Sequence, residues 1–151
     1  MSVKIIATNR KARHEYHILE KYEGGIVLHG SEVKAIREGK ANIKEAYVRF
    51  IEKELFVIGM HIGKYSNAGY STHTPVRNRK LLLHQRELSK MRKMVEEKGK
   101  TLIPLSIYFK GGNVKVEFGL AQGKKIWDKR KTKMEKDMDR QLDRALKSYK
   151  N

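Results

Sequence analysis

The residues able to do chemistry in this chain do not assemble a catalytic or metal-binding motif. Of the six histidines, the closest pair, His14 and His17, stands three residues apart, whereas a zinc protease needs two histidines at i and i+4. The chain has no cysteine, which excludes thiolate metal ligands, thiol nucleophiles and disulfides. No Ser, Thr or Lys nucleophile stands beside an identifiable base and orienting acid. The sequence therefore predicts neither a metal site nor an enzyme.

One segment has a superficial likeness to a phosphate-binding P-loop. Three residues rather than four separate its glycines, Gly119 and Gly123, and Lys125 stands where Ser or Thr must reach magnesium. Nucleotide hydrolysis is therefore not expected. Two interpretations stay open: the glycines let the backbone approach a ligand while Lys124 and Lys125 meet phosphate, or the segment is a plain strand end.

Positive charge is the stronger signal. Lys and Arg number 34 against 17 Asp and Glu, a formal net charge of +17, and such a bias indicates a polyanionic partner. Cations gather in three separate segments, 9–14, 77–80 and 123–133. Four aromatic residues are available for stacking on bases: Tyr16, Tyr22, Tyr47 and Trp127. RNA is favoured over DNA, because no helix suited to reading a major groove stands out.

A membrane surface is the other anion to consider. No run of 18 apolar residues is long enough to cross a bilayer. The first residues, 1–4, are too short and polar for a secretory signal. A cytoplasmic protein with no membrane partner is therefore expected.

Glu23 is an exception among these basic residues, because a lone acid in a glycine-flanked turn does not help to bind phosphate. It is either ordinary turn chemistry or a selective contact. A carboxylate accepts hydrogen bonds from exocyclic amines or 2′-hydroxyls of an exposed nucleotide, which cations cannot do.

Hydrophobic periodicity and turn residues predict the elements that must position these side chains. Strands rich in β-branched and aromatic residues surround three predicted hairpin turns, at residues 23–25, 52–54 and 110–113. Caps and apolar spacing predict a short helix over 31–39 and a longer helix over 81–98. We expect one domain with about six strands and two helices.

Other segments carry polar or special residues. Residues 9–14 are predicted to be an exposed basic entry segment, and residues 63–80 a long loop of the kind that often carries function. Pro104 predicts an edge position or a strand start, because proline cannot donate a ladder hydrogen bond.

The composition changes after Gly123. Residues 124–151 contain eleven Lys or Arg, five Asp or Glu, and neither Gly nor Pro, with a narrow apolar stripe at helical spacing. Such a helix is marginal alone in water. We therefore expect an RNA-binding body over 1–122 and a basic tail over 123–151 that is disordered when free and helical when bound.

Five blocks of the sequence resemble, in order, the signature blocks of the bacterial small protein B family, whose members bind SsrA RNA, the transfer-messenger RNA. The blocks lie at residues 9–16, 30–34, 77–84, 101–105 and 119–125. The resemblance implies an oligonucleotide-binding-type Greek-key β-barrel with embedded helices, and no cofactor. It implies a role in trans-translation, the rescue of stalled 70S ribosomes, as a monomer that contacts transfer-messenger RNA and small-subunit rRNA and takes no small-molecule substrate.

The resemblance also implies site residues. Glu23, Leu82 and His84 match family contacts to the transfer-RNA-like domain of transfer-messenger RNA. Phosphate contacts are expected beside them from one block: Asn9, Arg10, Lys11, Arg13 and His14. Further candidates are Arg77, Arg79 and Lys80.

For the tail, the resemblance implies contact with the decoding centre and the empty message channel. The matching positions at the decoding centre are Gly123, Lys124, Lys125, Trp127, Asp128, Lys129 and Arg130. Ala145 and Leu146 match the apolar channel positions. Some positions depart from the family pattern: Trp127 stands where many relatives have His or another ring, Gln122 replaces a usual cation, and Ala145 is smaller than the branched residue often found there.

Composition alone leaves a second class open, a structural ribosomal protein or a general RNA chaperone. Such a protein would copurify with one ribosomal subunit, whereas an adaptor would prefer one transfer-RNA-like RNA. A third class, an RNA-processing enzyme, needs a metal or an acid–base pair that the sequence does not offer. The five ordered blocks favour the adaptor.

Overall fold

The computed structural model describes residues 3–66, 73–96 and 99–123, together with Arg140. Within those residues the chain forms nine strands and three helices. In chain order they are β1 (Val3–Thr8), α1 (Arg10–Glu15), β2 (Tyr16–Ile26), α2 (Gly30–Arg37), β3 (Ala41–Asn42), β4 (Tyr47–Ile51), β5 (Glu54–Ile58), β6 (His61–Ile62), β7 (Arg79–Leu82), α3 (Gln85–Val95), β8 (Lys100–Lys110) and β9 (Asn113–Gly123).

Six strands close into a barrel, because the order β8-β4-β5-β7-β2-β9 is completed by pairing of β9 with β8. All these pairings are antiparallel. The edge of β8 that faces away from β9 pairs with β4 at Leu102 and with β1 over residues 106–110. A closed barrel with helices between its strands confirms the predicted mainly β, oligonucleotide-binding-type fold. The predicted tail conformation lies outside the described residues.

Apolar side chains fill the barrel, and two helices contribute to the same core. Phe118, Leu102 and Ile107 are fully buried strand residues, and Ile36 of α2 and Met91 of α3 join their cluster. Burial of a side chain of this size stabilises the fold by about 1.5–3 kcal/mol. Because the chain has no disulfide, this cluster carries most of the folding free energy.

Two of the three predicted hairpins are confirmed. β4 and β5 pair from Tyr47–Ile58 to Ile51–Glu54, with Glu52 at φ +59 in the turn. β8 and β9 pair from Lys110–Asn113 onward around Gly111 and Gly112, whose φ angles are +59 and +86. Two central residues of positive φ are what a two-residue turn between twisted strands requires.

The hairpin predicted around residues 23–25 is wrong. Residues 16–26 form the single strand β2, which pairs with β9 along its length. Gly24 is needed for packing rather than turning: a Cβ there would lie 3.0 Å from Leu83 Cδ1 and 3.2 Å from the Leu82 carbonyl oxygen. β7 can approach β2 this closely only because position 24 has no side chain.

Three further predictions need correction. Residues 9–14 are not an open segment, because α1 forms there and buries Ala12 against Ile103, Leu105 and Ala121 on the outside of the barrel. The helix predicted over 81–98 begins only at Gln85, since residues 79–82 belong to β7. Pro104 lies inside β8 at a β-bulge, not at an edge. The helix predicted over 31–39 is confirmed as α2.

Candidate nucleic-acid interface

The structure brings together the three residues matched to RNA contacts at one end of the barrel. In the strand register Gly25 of β2 pairs with Leu82 of β7 on one side and with Lys115 of β9 on the other. Partners across antiparallel strands share a face of the sheet. An open groove therefore crosses three strands there, and its lining residues are Glu23, Gly25, Leu82, Leu83, His84, Glu87 and Lys115.

Leu82 is an apolar contact on the surface of this groove, with 52% of its area exposed. His84 follows it as the residue before α3, and its side chain makes no capping hydrogen bond to the helix. Within the described residues, no hydrogen bond or salt bridge holds the Lys115 ammonium. These groups can contact a base, a ribose or a phosphate without first breaking an internal bond.

Gly25 forms the floor of the groove. A Cβ at this position would lie 3.6 Å from Leu82 Cβ and 3.8 Å from Lys115 Nζ, so any side chain would occupy the space between them. The sequence pattern predicts a turn at Gly25 and does not single out Lys115. The signal was present, because the Gly111–Gly112 turn fixes the β8–β9 register and with it the face on which Lys115 lies.

Glu23 is held in place by two residues of β8. The Tyr108 hydroxyl donates to Glu23 Oε2, and the Lys110 ammonium lies 3.2 Å from Oε1 and 3.4 Å from Oε2. The Tyr108 hydrogen bond, helped by Lys110, keeps the pKa of Glu23 below its ordinary value against the opposing effect of burial. Burial first, and then Glu23, raises the pKa of Tyr108. The Glu23 carboxylate is therefore an ionised hydrogen-bond acceptor.

The basic block at residues 9–14 lies at the other end of the barrel, so the expectation that it flanks Glu23 is wrong. α1 leads directly into Tyr16, which pairs with Gly123, whereas Gly25 pairs with Lys115. Nine residues of strand separate these two points, about 30 Å at the rise of a β-strand. The α1 block lies instead where β9 ends and the tail begins.

Within this block the roles divide. Asn9 is buried: its Oδ1 accepts the Ala12 N–H at 3.2 Å and its Nδ2 donates to the Pro104 carbonyl at 3.2 Å. It is the helix N-cap, and only 6% of it is exposed. The other block residues are exposed: Arg10, Lys11, Arg13 and His14. Lys11 makes an i,i+4 ion pair with Glu15 at 3.9 Å, which is weak at a surface.

The segment 77–80 is not a free cationic cluster. Arg79 has no exposed side-chain surface, and its Nε lies 2.5 Å from Glu32 Oε2. Arg77 is mostly buried and donates to the same carboxylate. Lys80 remains at the surface, 3.0 Å from Glu54. Arg79 and Arg77 therefore hold Glu32 and serve the fold, whereas Lys80 has an exposed ammonium that pairs with an exposed carboxylate.

The two glycines of the P-loop-like segment lie in different surroundings. Gly119 lies within β9, where a Cβ would come 2.9 Å from Ile18 Cγ2 and 3.1 Å from the Glu20 carbonyl oxygen. It permits close packing of β2 on β9 and has no space for a ligand. Gly123 ends β9, with nothing within 4 Å of its would-be Cβ.

The other predicted tail residues lie outside the described residues: Lys124, Lys125, Trp127, Asp128, Lys129, Arg130, Ala145 and Leu146. In the part of the chain that the structure describes, no three His, Asp or Glu residues gather to hold a metal ion. No helix there is long and apolar enough to span a bilayer.

Comparison with known proteins adds to this geometry. The family model described as SmpB protein matches residues 6–148. The SsrA-binding protein of Solidesulfovibrio magneticus is 52% identical over 143 residues, which cover 95% of this chain and 93% of that protein. The SsrA-binding protein of Carboxydothermus hydrogenoformans is 50% identical over 145 residues, covering 96% and 97%.

A solved structure is similar as well. It is described as "tmRNA-SmpB: a journey to the center of the bacterial ribosome", and one of its chains is 48% identical to this one. The TM-score is 0.67, and the match covers 80% of this chain and 85% of that chain. A family model that spans nearly the whole sequence, together with relatives of half-identical sequence and a shared fold, shows that this chain belongs to the SmpB family of SsrA-binding proteins.

Proposed function

We propose that this chain is the RNA-binding adaptor of trans-translation. It binds the transfer-RNA-like domain of transfer-messenger RNA and delivers it to the A site of a stalled ribosome. Its tail then enters the decoding centre and the empty message channel, which allows rescue and tagging of the nascent chain. The observation that carries this proposal is the separation of two candidate RNA contacts, the Glu23–Leu82–His84 groove and the α1–tail end, by the length of the barrel.

The groove supports the first contact because it combines three kinds of recognition. Lys115 supplies a free ammonium for phosphate, Leu82 an exposed apolar surface for a base or ribose, and Glu23 an ionised acceptor. Regular RNA helices present mostly phosphates and shallow edges, whereas loops present amines and 2′-hydroxyls that a carboxylate can accept. A groove with an acceptor among its cations therefore suits an irregular RNA such as the elbow of a transfer-RNA-like domain.

The opposite end supports the second contact. Residues 124–151 carry eleven Lys or Arg against five Asp or Glu. The residue before them, Gly123, pairs with Tyr16, which directly follows α1. We place the exposed cations of α1 with the tail, facing small-subunit rRNA, rather than with the groove. The message channel is lined by RNA, so a cationic tail competes with message for it and occupies it only when it is empty.

This proposal also gives the location and the mode of action. An adaptor of this kind works in the cytoplasm, where ribosomes are, and as one copy in each complex. It acts by placing RNA rather than by catalysis. We place the domain division at residues 122–123, which the end of β9 at Gly123 supports.

A competition titration tests the proposal. Labelled transfer-RNA-like domain is bound to the full-length chain and challenged with excess bulk transfer RNA at two salt concentrations. Survival of the labelled complex supports specific recognition. Equal displacement by bulk transfer RNA, with loss of all binding at high salt, would leave charge alone as the driving force and favour a general RNA chaperone.

A matched pair of variants locates the contact. Leu82→Ala removes an exposed apolar side chain in the groove, and Leu19→Ala removes one of similar exposure, 46% against 52%, away from it on β2. The proposal predicts weaker binding of the transfer-RNA-like domain for Leu82→Ala and no change for Leu19→Ala. If the two variants bound the transfer-RNA-like domain with the same affinity, the groove would not be the site of contact.

A further inference from the structure

Tyr108 reaches the proposed RNA groove from an unexpected direction. It lies on β8, where it pairs with Lys115 of β9, and Glu23 pairs with Glu117 on the other side of the same strand. The tyrosine ring must therefore extend across β9 to bring its hydroxyl to Glu23. Only 6% of Tyr108 is exposed, so almost none of its surface is available to RNA.

Among the residues that the structure describes, the hydroxyl has one hydrogen-bond acceptor, the Glu23 carboxylate, 85 residues away in sequence. A buried tyrosine hydroxyl needs a partner, but a structural partner is usually a backbone carbonyl or a buried side chain. Here the partner is a surface carboxylate of the groove, with 39% of its side chain exposed. The contact therefore positions a surface group more than it completes the core.

Lys110 holds the same carboxylate through both oxygens, at 3.2 Å and 3.4 Å. A carboxylate offers about four lone-pair positions. Tyr108 and Lys110 both approach from β8, so the positions on the side of Leu82 and His84 remain open. Two donors thus fix the carboxylate, and its remaining lone pairs can accept hydrogen bonds from a ligand in the groove.

We propose that Tyr108 is a positioning residue for RNA recognition, whose hydroxyl fixes the Glu23 carboxylate in the orientation in which it accepts hydrogen bonds from the RNA, with Lys110 as its helper. This inference rests on the proposed function, because it assigns a role within the groove that binds the transfer-RNA-like domain. A free glutamate has three rotatable bonds to immobilise on binding. A carboxylate already held loses less conformational freedom when the RNA arrives.

Tyr108→Phe is the direct test, since it removes the hydroxyl and keeps the buried ring. The affinity for the transfer-RNA-like domain is expected to fall about tenfold, which corresponds to about 1.4 kcal/mol. The loss should depend on Glu23: in a Glu23→Gln background, Tyr108→Phe should change the affinity by less than about twofold. A structural role would instead lower the affinity in both backgrounds.

Tyr22→Phe is the matched control. The Tyr22 hydroxyl also donates to a glutamate, Glu20, and its ring stacks on Phe118 in the barrel. It differs in lying outside the groove, and Tyr22→Phe keeps the ring that the sequence offers for stacking on bases. Its loss should leave RNA affinity unchanged, whatever it does to the melting temperature.

A pH profile gives a readout that a structural role would not move. The Tyr108 hydrogen bond lowers the pKa of Glu23, so Tyr108→Phe raises that pKa. Glu23 must be ionised to accept, and its contribution to affinity is lost as the pH falls through its pKa. The acid limb of the binding curve should therefore move to higher pH in the variant.

The outcomes separate this inference from the proposed function. If Glu23→Gln weakens binding and Tyr108→Phe does not, the positioning role is wrong and the groove stands. If neither Glu23→Gln nor Leu82→Ala weakens binding, the groove itself is wrong. Should Tyr108→Phe fail to fold, Lys110→Met at the surface takes its place in the cycle with Glu23, and additive losses there would overturn the inference.

Discussion

Replacement of Arg79 by Met should unfold this protein at a markedly lower temperature without acting through RNA. The Arg79 guanidinium is fully buried, with Nε 2.5 Å from Glu32 Oε2. Its other nitrogens donate to the carbonyls of Met60 at 2.7 Å and Pro75 at 3.1 Å. One side chain thus joins α2, β7 and the segments that follow β5 and precede β7.

The magnitude follows from what Arg79→Met leaves behind. Removal of one partner of a buried ion pair costs about 3–5 kcal/mol, because the other charge stays buried without it. Arg77 still donates to Glu32, which favours the lower half of that range, while the two carbonyls that lose a donor add to the cost. At about 2–4 °C for each kcal/mol in a chain of this size, the melting temperature should fall by at least about 6 °C.

Thermal and urea unfolding, each followed by circular dichroism, measure this loss, and Lys80→Met is the matched control. Lys80 is the next residue and also pairs with a glutamate, at 3.0 Å, but both side chains are exposed. Its loss should cost less than about 1 kcal/mol. The result that refutes the reasoning is an Arg79→Met variant that melts like the parent protein and loses RNA affinity, because Arg79 would then be an RNA contact.

Three other measurements test the structure and the proposed function. Burial alone would raise the pKa of Glu32, but donors led by Arg77 lower it overall. The contribution of Glu32 to stability is therefore complete above about pH 4.3 and is lost as the pH falls through its folded pKa. Glu32→Gln should flatten this acid limb of the plot of melting temperature against pH, and an unchanged limb would contradict the reasoning. Gly25→Ala should weaken binding of the transfer-RNA-like domain about tenfold without lowering the melting temperature. Gly30→Ala, with nothing within 4 Å of its added Cβ, should change neither the affinity nor the melting temperature. If a filter-binding assay gave both variants the same affinity, Gly25 would not form the floor of the RNA site. Deletion of residues 124–151 should spare RNA binding and abolish tagging of stalled chains, and a truncated protein that tags but does not bind RNA would reverse the proposed division of labour.

Local signals in the sequence predicted the elements that local chemistry decides. The Gly111–Gly112 turn needs positive φ at two successive residues, and α2 ends at a glycine of positive φ, Gly39. These requirements are met within a few residues of chain, so a pattern of residue types is enough to find them. The mainly β fold followed from such segments.

What the sequence could not show depends on partners far along the chain. Gly24 and Gly25 look like a turn. In the structure, Gly24 lets β7 pack closely on β2, and Gly25 forms the floor of the groove. Arg79 looks like a surface cation in a polar loop, but its guanidinium is buried on distant partners, above all Glu32, 47 residues away. Long-range pairing of this kind leaves no periodic trace, which is why the candidate site gained Lys115 and Tyr108 and lost Arg79.

The closed barrel also sets how far apart the two proposed RNA contacts lie, because β2 and β9 run side by side from the tail end to the groove. Insertion of one residue in β2 would turn the side chains beyond it to the opposite face, which would bring Glu23 into the core. Insertion of two residues would restore the face but move the groove about 6.6 Å along the strand. The length of β2 is therefore constrained twice, by the core and by the distance between the two proposed RNA contacts.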